Sequence, residues 1–418
     1  MKTICTRTLL AVVAAGALAT PVVAAPASAA PPSTQQASAI TTSDAGSVQP
    51  DQDPFYRAPA NISSYAPGQI VDSRAVTPKI GVLPVPVTSW QISYRSNDQL
   101  GRPILAVTTL MVPGTSWTKT THRPVVSFQS AEDSVGTACA PSYTMVSGKG
   151  TGDAIDVAQI APYLLKGWAI AIPDHEGPHA YFGTGINSGH ITLDGIRAVK
   201  RFDHDGIGAH NEWGMTGYSG GAQATGWAAQ LQPTYAPDVK LVGAAVGGMP
   251  ADLTATARYI DGGMFSGFEF AVAESIGLAY PKAGIPALLN DRGRQDFQTI
   301  KGMCEMDTLS HFAFHKLAQD TTVSDPLDVP SVAKALKANR MGLTGAPQIP
   351  IYSYHADTDE IVPVKQANQT ISLWRGKGTR VKVVRDLIGE HTEEAAVRLP
   401  SVVQFLQQRF DGDPFDGR

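Results

Sequence analysis

Much is scarce in this chain. Cysteine occurs 3 times in 418 residues, and Cys5 falls in a stretch that reads as removable, so one bridge at most can form, between Cys139 and Cys304. Charge is sparse and evenly mixed, with 33 basic and 37 acidic side chains and a net of -4. Such a balance aims no field at nucleic acid or an acidic surface, so no nucleic-acid partner is expected. Long apolar runs are missing apart from Leu9 to Val23, which is short for a bilayer and contains Pro21; no transmembrane segment is expected. Nucleotide signatures are absent too. Gly148-Lys149-Gly150 lacks the spacing of a phosphate loop, and Gly183-Thr184-Gly185 misses the dinucleotide fingerprint.

What is present is a chain with 43% hydrophobic residues, enough for a large core and unlike a disordered or fibrous protein. Lys2 and Arg7 precede the apolar run, and Ala27-Ser28-Ala29 supplies the small-residue cleavage pattern. Residues 1–30 therefore read as a secretory signal peptide, and the protein as secreted. Losing those two cations would shift the net charge from -4 to -6. Residues 31–52 are Ser, Thr, Gln, Ala, Pro and Asp with little bulk and read as a disordered leader, with order beginning near Asp53. In an oxidising compartment Cys139 and Cys304 are expected to be bridged, the alternative being two buried thiols.

Thr88 to Arg95 alternates through Trp90, Ile92 and Tyr94, and with Ile104 to Val112 it predicts a hairpin. Short apolar runs follow at Pro124 to Phe128, Trp168 to Ile172, Leu241 to Val246, Ile349 to Tyr354 and Val381 to Arg385. Helical patterns lie between them at Ile155 to Lys166 and Ile191 to Phe202, and Val397 to Phe410 predicts a closing helix. Alternation of this kind predicts an α/β fold with a mostly parallel sheet. It stops between Pro250 and about Arg340, where Phe265, Phe268, Val272 and Ile276 share one helical face. The expected layout is a core over 53–250, a helical cap or lid inserted at 251–340, and the rest of the core at 341–418. The apolar residues of the cap either hold it together or line an acyl-chain pocket.

Gly217-Tyr218-Ser219-Gly220-Gly221 has the pattern G-x-S-x-G, which places a serine on a sharp strand-to-helix turn. With 40 glycines in the chain the pattern alone is weak. Context strengthens it. A serine nucleophile needs a base, and the base needs an orienting acid; in elbow hydrolases the chain order is serine, acid, histidine. Asp357, Asp359 and Glu360 follow one strand, and His391 is expected on the loop after the next. Asp359, with Val362-Pro363 just beyond it, is favoured as the acid over Asp357. The oxyanion donors are expected to be the amide of Gly220 and a group on the loop Gln129 to Ser134. His175-Glu176-Gly177-Pro178-His179 matches the zinc string H-E-x-x-H, but Gly177 and Pro178 oppose the helix that string requires, so no metal is expected.

Together with Asp53-Pro54-Phe55-Tyr56, Cys139 to Tyr143, Pro173 to Pro178 and Leu193 to Ala198, these residues resemble the secretory lipase family, an α/β-hydrolase family, in an actinobacterial version. The resemblance spans residue 53 to the end. It implies an α/β-hydrolase fold with a helical cap and hydrolysis of acylglycerols and other carboxylic esters, with no metal or organic cofactor. It further implies Ser219, Asp359 and His391 as catalytic residues, Asp133 and Gly220 at the oxyanion, and Cys139 with Cys304 as a cap-tethering disulfide. The partner would be a small-molecule or lipid ester, with transient contact at a lipid interface. Two other readings stay open: a short-chain esterase or acyltransferase with the same residues, and a non-catalytic binding protein on the same fold.

Overall fold

The computed structural model describes residues 45–149 and 153–417. The expected signal peptide, and the leader up to residue 44, lie outside the described residues. Residues ahead of Asp53 form a turn: the amides of Gln52 and Asp53 both donate to Gln49 O at 3.0 Å, and Pro50 is buried. Its composition hides this, because the turn is held by backbone bonds and needs no bulky side chain.

Among the described residues, nine strands form one sheet: β1 (Ile70–Val76), β4 (Val87–Asn97), β5 (Pro103–Pro113), β6 (Val125–Gln129), β7 (Ala169–Pro173), β8 (Trp213–Tyr218), β9 (Leu241–Gly247), β10 (Ile351–Ala356) and β11 (Val381–Asp386). The short strands β2 (Lys79–Ile80) and β3 (Leu83–Pro84) pair only with each other. In space the order is β1-β4-β5-β7-β6-β8-β9-β10-β11. The first three pairings are antiparallel and the remainder, from β7 to β11, are parallel. The predicted hairpin is β4 with β5. β1 has no apolar alternation, since Asp72, Ser73 and Arg74 interrupt it. It joins the edge through its ladder to β4 and through Arg74, whose guanidinium lies 2.7 Å from Asp53 Oδ2 and donates to Gln91 at 2.7 Å.

Alternate residues of the parallel strands enter two apolar layers. Val125, Ala169, Met215 and Ile351 pack on one face with Ile191 to Val199 of α3 (Gly185–Phe202) and Ala222 to Ala229 of α4 (Gly220–Tyr235). Phe128, Ile170, Tyr218 and Tyr352 pack on the other with Ile160 and Tyr163 of α2 (Asp153–Leu165) and Val402 to Leu406 of α12 (His391–Phe410). Burial on both faces is why these strands read as continuous short apolar runs. Helices α1 (Pro141–Ser147) and α11 (Val364–Gly376) complete the layers.

Between β9 and β10 the chain is helical, as expected: α5 (Leu253–Ile260), α6 (Gly267–Ala279), α7 (Ile285–Leu288), α8 (Asp291–Thr299), α9 (Glu305–Phe312) and α10 (Pro330–Ala338). These helices share a third apolar cluster built on Phe270, Phe297, Phe312 and Leu336, separate from the two sheet layers. No helix among the described residues is long and apolar enough to cross a membrane.

Candidate active site

β8 delivers its chain to the carboxyl rim of the sheet and turns directly into α4. Ser219 stands at that turn with φ 53° and ψ -125°, a conformation that costs a non-glycine residue about 1–3 kcal/mol. The flanking glycines have a steric reason. A Cβ on Gly217 would come within 2.3 Å of Gly221 O, and one on Gly221 within 2.1 Å of Gln129 O. Packing that tight leaves no room for any side chain. The strained serine is pinned by its own amide, which donates to Gly247 O at 2.9 Å.

His391 Nε2 lies 2.8 Å from Ser219 Oγ, and His391 Nδ1 lies 2.6 Å from Asp359 Oδ2. Because the carboxylate can only accept, Nδ1 carries the proton and Nε2 is free to accept from the serine hydroxyl. The structure therefore brings the three predicted side chains together. It corrects one detail, for His391 is not on a loop but is the first residue of α12. Glu393 and Glu394 occupy the first turn of that helix, where its dipole favours acidic groups. Their polarity hid the helix start from an apolar-periodicity argument.

Asp359 is 2% exposed, and its Oδ1 accepts the amides of Ile361 at 2.9 Å and Val362 at 2.7 Å. Burial alone would raise this carboxyl, but hydrogen bonds from His355 and His391 overcome it and hold the group well below the usual carboxylate range. Asp357 is exposed and its backbone pairs with Asp386, so it plays no part in the cluster. Glu360 takes a role the sequence did not suggest: its Oε2 accepts the His391 amide at 3.0 Å. His355 was also missed. It is the penultimate residue of β10 and almost fully buried, with Nε2 2.8 Å from Val362 O and 3.0 Å from Asp359 Oδ2. Its place two residues before Asp357, inside an apolar strand, was the available signal. Tyr218 completes the support by donating its hydroxyl to His391 O at 2.5 Å.

The loop after β6 brings Asp133 to the same cleft. Asp133 has φ 41°, and a Cβ on Gly220 would sit 1.8 Å from its Oδ1, so the glycine after the serine lets this carboxyl approach. Burial first, and then the charge of Glu305, push Asp133 well above the usual range. A neutral carboxyl here can donate a hydrogen bond, next to the Gly220 amide. Its neighbour Glu132 turns away and accepts the His175 amide at 2.7 Å. Further buried acids surround the loop: Asp174, which burial pushes up to about 7 while Ser142 lowers it, and Glu176, raised by burial and by Asp133. Burial also lowers His175 to about 4. The H-E-x-x-H string forms turns rather than a helix. Among the described residues no cluster of His, Cys, Asp and Glu is arranged to hold a metal.

A disulfide joins Cys139, beyond the Asp133 loop, to Cys304 at the start of α9. The amide of Val135 donates to Met303 O at 3.2 Å beside it. The cleft over Ser219 is lined by Phe182, Leu253, Ile260 and Phe268 together with Ser219 and Asp133. A hydroxyl, an imidazole and a carboxylate in sequence, beside two donors and an apolar cleft, can attack a carbonyl and hold the resulting oxyanion.

Residues 147–417 match the family model described as secretory lipase. The chain is 34% identical over 391 residues to Lipase 6 of Candida albicans, covering 87% of this chain and 82% of that protein. It is 32% identical over 373 residues to a protein of Mycobacterium tuberculosis named a probable inactive lipase, covering 87% of this chain and 83% of that one. The crystal structure of Candida antarctica lipase A in its closed state superposes with a TM-score of 0.82 at 30% identity, covering 88% of each chain.

Proposed function

The chain belongs to the secretory lipase family, and on that premise we propose that it is a secreted serine ester hydrolase acting on acylglycerols and related carboxylic esters. Ser219 Oγ attacks the acyl carbonyl while His391 Nε2 takes its proton. The oxyanion is held by the Gly220 amide and the neutral Asp133 carboxyl. Collapse expels the alcohol, which receives the proton from His391, and leaves the acyl group on Ser219. Water, activated by the same imidazole, then releases the acid. Asp359 keeps the imidazole in the required tautomer. No step calls for a metal or organic cofactor.

One observation carries this reading: the unbroken pair of contacts from Ser219 to His391 at 2.8 Å and on to Asp359 at 2.6 Å. Family membership would not suffice, since a relative is named inactive. The helical segment 251–340 is proposed as a lid over the cleft, tethered by the Cys139–Cys304 disulfide. Transient contact with a lipid surface is supported by Leu387 and Ile388, which are 79% and 89% exposed just before His391. An actinobacterial source is consistent with the mycobacterial relative.

The test is labelling with a serine-directed fluorophosphonate, followed by mapping of the modified peptide. We expect modification at Ser219 and its loss in Ser219→Ala; an inert protein would instead favour a non-catalytic binding role. A chain-length series of p-nitrophenyl esters separates a lipase from a short-chain esterase, and an added alcohol acceptor reveals acyl transfer.

A further inference from the structure

Among the parallel strands, β10 alone carries a histidine. All six residues of that strand are buried, and His355 is itself 1% exposed. A ring nitrogen placed in such a layer costs free energy unless it finds a partner. Nε2 of His355 finds two, Val362 O at 2.8 Å and Asp359 Oδ2 at 3.0 Å. A carbonyl and a carboxylate both accept, so Nε2 carries the proton and shares it between them.

Both acceptors belong to the turn that presents Asp359 to His391. The Val362 amide donates back to Asp359 Oδ1 at 2.7 Å, beside the Ile361 amide at 2.9 Å, and Oδ2 takes His391 Nδ1 at 2.6 Å. With His355 the carboxylate meets four N–H groups, about the number of its lone-pair directions. Turning it away from His391 would break contacts on both oxygens. Proton transfer needs this carboxylate fixed, because it sets the tautomer and orientation of the imidazole that serves Ser219. A lysine or arginine in the same place would bring a permanent charge and compete with the imidazolium that forms at His391; an imidazole N–H can donate without one. His355 does not line the cleft, although Ile361 and Val362 do.

We propose that His355 is a positioning residue for ester hydrolysis at Ser219 and acts through Asp359: reaching from β10 to Asp359 Oδ2 and Val362 O, it fixes the carboxylate against His391. Four side chains, rather than three, then work as a unit. A histidine satisfied merely within the core would hold Val362 in place and leave proton transfer alone. Its approach to the same Oδ2 that serves His391 speaks against that. The inference rests on the ester-hydrolase reading and adds a member to it.

The experiment uses the purified full chain and p-nitrophenyl butanoate. His355→Leu is expected to lower kcat about 10–100-fold with KM nearly unchanged, the scale for losing a group that orients a reacting one. His355→Gln, whose amide can donate from a similar reach, is expected to recover most of that loss. In an Asp359→Ala background, His355→Leu is expected to lower kcat no further, because groups that act as a unit are not additive. Should the leucine variant not fold, as judged by denaturant titration, His355→Met takes its place. An unchanged kcat in His355→Leu overturns the proposal; if KM rises instead, the ring only shapes the cleft wall through Val362. Glutamine no better than leucine overturns it, and so does a full further loss in the Asp359→Ala background. Failure of the wild type to hydrolyse the butanoate at all would instead remove the ester-hydrolase reading.

Discussion

At the carboxyl rim of the sheet, Ser219, His391 and Asp359 are joined by hydrogen bonds and fixed by the backbone around them. Asp359 takes two amides and contacts two imidazoles, Glu360 takes the His391 amide, and two glycines let backbone meet backbone. The helical segment 251–340 is built otherwise. Its cluster of Phe270, Phe297, Phe312 and Leu336 is held by apolar contact, and Glu269 is the one ionisable side chain among the described residues lining the cavity beside it. Proton transfer of the kind proposed for Ser219 and His391 tolerates little displacement, and an over-determined rim suits it. An apolar cluster can be filled by many different packings.

The comparison can be broken most decisively at the rim. Asp359→Asn keeps the shape but leaves the imidazole without its acceptor, and turnover of a short ester is expected to fall about 10⁴-fold. Less than tenfold loss would mean that Glu360 or another acid replaces it. Asp133→Ala is expected to lower turnover about 10²–10³-fold. Asp133→Asn, which still offers a donor, is expected to lose far less; equal losses would show that the carboxyl acts as an anion. In the helical segment, Phe270 is 1% exposed and stacks on Phe312 with ring centroids 4.7 Å apart. Phe270→Ala is expected to cost about 3–5 kcal/mol of stability, read by denaturant titration, with short-ester turnover nearly unchanged. A parallel fall in turnover would mean the two regions are not separable.

The smallest effect is on pH. Burial raises Glu132, Asp133, Asp174, Glu176 and Glu305, with Asp174 and Glu305 reaching about 7; His391 opposes the rise at Glu305. Such groups stay protonated in the fold but ionise in the unfolded chain above about 4. The native state then holds more protons, so stability falls as pH rises from about 4 to 7. His175 and His190, which burial lowers to about 4, act the other way below their ordinary value. Asp359, held low, loses its contribution only in strong acid. Five carboxyls outnumber two imidazoles, so the thermal midpoint is expected to drop by several degrees between pH 5 and pH 8. A flat or rising midpoint would show that these acids are reached by water or paired in some other way.

Much of this was legible in the residues. The hairpin and the parallel strands announced themselves through alternation and short apolar runs, and Ser219, Asp359 and His391 through their order after strand ends. β1 was invisible because polar side chains interrupt it, and its place depends on pairing with β4 and on Arg74. The start of α12 was hidden by its acidic first turn. His355 could be read as an ordinary strand residue, since nothing local says that its ring meets a carboxylate four residues on.

The sequence by itself determined the alternating layers, the strained serine turn and the chain order of the reacting groups, because each depends on periodicity or on neighbours within a few residues. Only the tertiary structure decided that Asp133 approaches across Gly220, that His355 meets Asp359, and that Glu360 takes the His391 amide. Those outcomes depend on which distant backbones meet and on how much water they exclude. Burial is a property of the packed molecule, and no stretch of chain carries it alone.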